Sequence, residues 1–123
     1  RLRKLLALYR GDLLADAAYA EHAGESRERV RTLMLEGVAT LALALGEEEG
    51  DEALAVLRRG LEADPYWGEG VGLLMDRLAG RGRMLAAIRV YRDYERRLRE
   101  ELDLEPDVPL SRRFRKLTAG TEA

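Results

Sequence analysis

Apolar residues return every third or fourth position along most of the chain, a spacing that predicts amphipathic helices. From Arg1 to Tyr9 the apolar set Leu2, Leu5, Leu6 and Tyr9 shares one face, and Arg10-Gly11-Asp12 ends this short helix. Leu13 to Glu25 has two readings, a short helix capped by Asp16 and broken at Gly24, or an irregular segment. Ser26 then stands as an N-cap, and Val30, Leu33, Met34, Gly37, Leu41 and Leu45 follow at helical spacing as far as Gly46. Glu47 to Asp51 forms an acidic turn too short to separate domains.

Gly50 to Pro65 is the clearest element, with a Gly at its start, a packing face at Ala53, Leu54, Leu57, Gly60 and Leu61, and a stop at Asp64-Pro65. Pro65 is expected in the first turn of the next helix, capped by Asp64 and carrying Val71, Leu74, Met75 and Leu78. Gly80-Arg81-Gly82 makes a turn, and a helix of roughly 30 Å follows from about Arg83 to Leu102. Its expected buried face is Met84, Ala87, Ile88, Tyr91, Tyr94, Leu98 and Leu102. Glu105 to Pro109 reads as a stiff connector, and Leu110, Phe114 and Leu117 mark a last short helix.

Ala53, Leu57 and Gly60 find counterparts 34 residues later in Ala87, Tyr91 and Tyr94. That is the period of tetratricopeptide (TPR) repeats, built from paired antiparallel helices. The register sets one repeat at about Met34 to Trp67 and a second at about Gly68 to Arg99. The fold expected is all-α: a TPR-like right-handed superhelix of two helical hairpins with flanking N- and C-terminal helices. Two hairpins leave both ends of the stack apolar, so the flanking segments are expected to cover them. Pro106 stops the second repeat two turns later than Pro65 stops the first, which marks a helix that overruns its repeat.

Composition supports one helical domain. Apolar residues make up 46% and charged residues 36%, and a chain of 123 residues buries roughly two-thirds of its unfolded surface. The 21 basic and 23 acidic residues give a net charge of −2, without the basic excess of a domain that holds nucleic acid through phosphates. Without cysteine there is no disulfide framework or thiolate chemistry. No apolar run reaches the about 18 residues that span a bilayer, and no signal-peptide pattern leads the chain, so a cytoplasmic location is expected. The first residue is Arg, and the chain reads as a single domain from a longer protein.

Candidate chemistry is sparse. His22, the one histidine, has no Ser or Asp at a diagnostic spacing, and Ser26 and Ser111 lack a nucleophile-elbow context, so no catalytic residue is nominated. The acidic turn lacks the ligand alternation of a calcium loop, leaving no metal site or cofactor expected. Gly68-Glu69-Gly70-Val71-Gly72 follows a helix rather than a strand, and its glycines suit close helix packing better than phosphate binding. Arg89, Arg92, Arg96 and Arg99 form one stripe, a docking face for an acidic partner or a solvated face on which Asp93 and Glu100 pair with Arg89 and Arg96. TPR geometry nominates a partner groove from Leu35, Val38, Ala42 and Leu45 in repeat one and Glu69, Gly72, Asp76 and Ala79 in repeat two. That groove is either open to a peptide or helix, or filled by the Arg1 helix or the Leu13–Ala20 segment.

Four segments together resemble a known family. They are Leu8-Tyr9-Arg10-Gly11-Asp12-Leu13-Leu14, Arg27-Glu28-Arg29-Val30-Arg31, the Gly50–Pro65 helix, and Leu98-Arg99-Glu100-Glu101-Leu102-Asp103-Leu104-Glu105-Pro106. In that order they are similar to the bacterial transcriptional activator domain of regulators related to the Streptomyces antibiotic regulatory proteins. Departures are His22 where the family usually has Trp, Gly24 and Ser26 within a usually continuous acidic helix, and Asp103 for the usual Gly. The resemblance implies a non-catalytic regulatory domain that follows a winged-helix DNA-binding domain. It implies contacts with a second copy, with other domains of the regulator or with the transcription machinery, and DNA contact only through the missing domain. The alternative is a generic TPR scaffold that binds a peptide or helix.

Overall fold

The computed structural model describes Gly24 and residues 26–122. The expected Arg1–Tyr9 helix, the Leu13–Glu25 segment apart from Gly24, and His22 lie outside the described residues. The order is α1 (Arg27–Ala44), a 3-10 turn (Glu47–Glu49), α2 (Gly50–Ala63), α3 (Gly68–Gly80), α4 (Met84–Leu102) and α5 (Val108–Glu122), with no strand among the described residues.

Local signals set most boundaries. Ser26 has extended backbone and its Oγ accepts a hydrogen bond from Arg29 N at 3.1 Å, the N-cap expected of it. Asp64 is held extended before Pro65, at φ −143° and ψ 96°, and ends α2. Pro65 does not enter the next helix, however. Asp64 Oδ1 accepts from Tyr66 N (3.0 Å) and Asp64 O from Trp67 N (3.2 Å), so 64–67 closes on itself as a turn and α3 starts at Gly68. The Pro109 connector is likewise corrected. Asp107 Oδ1 accepts from Leu110 N at 2.9 Å and caps α5, which places Pro109 in a first turn where its missing N–H leaves no bond unmade. The last helix is therefore 15 residues long rather than short.

Two helix ends use the left-handed region. Gly82, at φ 75°, turns the chain from α3 into α4 at no steric cost. Asp103 does the same after α4 at φ 54° and ψ 41°, and Leu104 N donates back to Leu98 O at 3.1 Å, completing a Schellman closure.

Each helix packs on the next, α1 also touches α3, and α5 lies on both α3 and α4. With connections this short, sequential neighbours run antiparallel. The described chain is thus a TPR-like stack of two helical hairpins with α5 closing one end. The 34-residue register is visible in the core, where Ala53, Leu57, Ala87 and Tyr91 are all buried together with Leu54, Met75 and Leu78.

The face of α4 departs from expectation at its end. Ala87, Tyr91 and Leu98 are buried and Met84, Ile88 and Tyr94 half-buried, but Leu102 is exposed. Tyr94 Oη already lies 3.0 Å from where a Cβ on Gly68 would stand, so the last two turns of α4 run beyond the start of α3. In α1 the buried set is Leu35, Ala39, Leu41 and Ala42 with the cap Leu45, while Met34 of the expected stripe is exposed.

Candidate interaction surface

The two hairpins meet in a cleft of about 460 Å³ between the end of α1 and α3, lined by Leu43, Glu47, Leu73, Asp76, Arg77 and Gly80. Arg77 builds its floor. Helix α1 has no basic residue in its last turn and an extended cap at Leu45, so its final carbonyls lack partners from their own helix. Arg77 supplies them from α3: Nη2 donates to Ala42 O (2.6 Å) and Leu45 O (2.5 Å), and Nη1 to Gly46 O (3.3 Å). Its charge also sits at the negative end of the α1 dipole. One turn on, Arg81 Nη1 bonds Asp51 Oδ1 at 2.5 Å, joining α3 to the start of α2. Both groups of this second pair are solvated, so it contributes at most about 1 kcal/mol.

The predicted groove residues scatter. Leu35, Ala42 and Leu45 are buried, with Ala42 in the main core and Val38 packed beside Leu45 in a second cluster. Gly72 lies beneath α5, where a Cβ would collide with the Arg113 guanidinium and stand 3.4 Å from Leu110. Ala79 packs half-buried against the core, and Glu69 is exposed at the start of α3. Asp76 is exposed, lines the cleft and faces Arg113 Nε at 3.7 Å. The structure thus brings only Asp76 of this set to the cleft, where Leu43 and Leu73 stand one residue on from Ala42 and Gly72. That one-residue rotation, about 100° on a helix, exchanges the packing face for the face beside it. Arg77 was also missed. Its one sequence signal is that it is the single basic residue in α3.

The arginine stripe of α4 is divided by its partners. Arg92 bonds Glu95 (2.9 Å) and places its guanidinium carbon 4.7 Å from the centre of the Phe114 ring, while Arg99 lies 3.8 Å from Glu105. Arg96 pairs with Asp93 at 3.0 Å rather than with Glu100, and Arg89, exposed, does not pair with Asp93. Beside the stripe, Phe114 stacks on Tyr91 with ring centres 4.0 Å apart and planes 9° from parallel.

The turn at 64–67 is tied to the overrunning part of α4. Tyr66 Oη donates to Glu101 Oε2 at 3.0 Å, and Tyr94 Oη donates to Tyr66 O at 3.3 Å. The bond to Glu101 raises the Tyr66 pKa, and burial raises those of Tyr91 and Tyr94. Trp67 fills the space left by Gly60 and Gly70, the close packing that the glycine run suggests.

Other candidate groups have structural employment. Ser26 caps α1, and Ser111 Oγ donates to Val108 O at 3.1 Å inside α5. Among the described residues no cluster of His, Asp or Glu can hold a metal ion, and no helix is long and apolar enough to cross a membrane.

No curated protein and no solved structure matches the chain. The family model described as "Bacterial transcriptional activator domain" matches residues 1–118, which takes in both hairpins and most of α5. A match of that extent, over a stack of helical hairpins in the order the motifs predict, means that the chain belongs to the bacterial transcriptional activator domain family.

Proposed function

We propose that this is the regulatory, protein-contacting part of a bacterial activator of the Streptomyces antibiotic regulatory type, and that it works in the cytoplasm without catalysis. The observation that carries the reading is the family match across residues 1–118. A winged-helix domain outside this chain grips the promoter. This domain meets a second copy, other domains of the regulator or the transcription machinery. Two surfaces suit such contacts: the cleft at Asp76, with Glu69 exposed two turns earlier on α3, and the outer face of α4 with Arg89 and Arg96, both exposed.

Deleting residues 26–122 from the full regulator tests this. Promoter DNA should still be bound, while reporter transcription falls to the level of the regulator-free strain. Activation that survives the deletion would refute the reading. The scaffold alternative is favoured by the cleft between α1 and α3, the first helices of the two hairpins. It predicts peptide capture by the domain irrespective of any attached DNA-binding domain.

A further inference from the structure

The cleft between α1 and α3 combines an apolar contact with an imbalance of satisfied charge. Leu43, 65% exposed, faces it together with the half-buried Leu73. Among the described residues the cations that line it are engaged, Arg77 by the carbonyls of α1 and Arg81 by Asp51, as is Arg113, which faces Asp76. Glu47 lines the cleft and Glu48 follows it in the same 3-10 turn; both carboxylates are exposed and have no ion-pair partner among the described residues. An incoming carboxylate or phosphate therefore meets repulsion and finds no free guanidinium on the described lining, whereas an incoming cation meets open acceptors.

We propose that this cleft receives an amphipathic helix of a partner protein that presents Leu or Phe and, one turn away, Lys or Arg. The inference rests on reading the domain as a protein-contacting one and names the chemistry of its partner. The apolar side chain enters between Leu43 and Leu73. The cation, one turn along the same face, reaches Glu47 and Glu48. Burial of the apolar side chain supplies affinity, while the carboxylates set orientation and exclude acidic sequences.

The test uses the 123-residue chain and labelled 18-residue helical peptides with Leu and Lys on one face. One control carries Glu for Lys and another is scrambled at equal composition. Fluorescence anisotropy should show saturable binding of the Lys peptide, about tenfold tighter than either control and weakening as salt is added. Leu43→Glu, and separately Glu47→Lys with Glu48→Lys, should each weaken it by about tenfold. All three positions are exposed, and unchanged circular dichroism verifies that the variants fold. Equal binding of the Glu peptide, or binding indifferent to both variants, overturns the proposal. The deletion experiment above reads activation by the whole regulator, so failure of the peptide arm alone leaves that reading standing.

Discussion

The two joints of the stack share one apolar core but are finished differently. Between the hairpins, α3 holds the end of α1 through one guanidinium on three backbone oxygens, with an exposed ion pair beside it. At the other joint α5 closes on hairpin two through a stacked aromatic pair, Phe114 on Tyr91. The register explains the contrast. Leu57 and Tyr91 occupy equivalent positions, and both are buried, but Leu57 has a whole hairpin stacked beyond it while Tyr91 has only one further helix. A ring on each side covers with one helix what aliphatic side chains cover with two. Apolar packing thus runs through both joints, with Leu54 and Leu57 in one core with Met75 and Leu78, and the first joint adds directed bonds to backbone oxygens where the second adds a ring stack.

The sharpest way to break this comparison is Phe114→Ala. It removes a buried ring and the stack, and should cost about 3–5 kcal/mol in denaturant unfolding, with α5 amides losing exchange protection first. A cost near that of a surface substitution would show that aromatic closure does not hold the end. Next comes Arg77→Met, which keeps much of the stem but leaves the α1 carbonyls without their donor. About 2–3 kcal/mol should be lost, with faster amide exchange confined to the last turn of α1. Arg77→Lys, lacking the fork, should restore only part of it.

Smaller effects sharpen the picture. Asp103→Gly relieves a left-handed residue at the end of α4 and should raise stability by about 0.5–1 kcal/mol, read as a higher melting temperature. The smallest effect is in alkali. Burial raises the Tyr91 and Tyr94 pKa values in the folded state, so the unfolded chain releases these protons first. The associated stability is complete below about pH 10 and declines as pH rises toward the folded values. Phenolate absorbance should show both tyrosines titrating later in the folded chain than in denaturant, and Tyr91→Phe should remove its share of the decline.

What was legible from sequence was local or periodic. Ser26 before an apolar run, Asp64-Pro65 after one, and the Ala53/Ala87 and Leu57/Tyr91 pairs are readable because cap and repeat chemistry act within a few residues or at a fixed period. What was not legible depends on contacts between distant segments. Arg77 reaches Ala42 and Leu45 over 35 and 32 residues, and nothing near it in sequence says which carbonyls it will meet. The expected groove residues divide between core and surface for a related reason. Spacing identifies which α1 residues share a side, but α5 decides what remains open on α3, and its Arg113 covers Gly72. Pro109 misled because a proline reads equally as connector or first turn until the Asp107 cap is seen.

Trp67, seated against Gly60 and Gly70, is the one tryptophan in the chain. Its emission therefore reports a single place, the bend where α2 gives way to α3, and is blind to most of the stack. A spectral change that precedes the loss of helical ellipticity would record the hairpins parting while each is still wound, and coincident changes would record their melting as one unit. The fold carries its own optical gauge of whether its repeats come apart before they unwind.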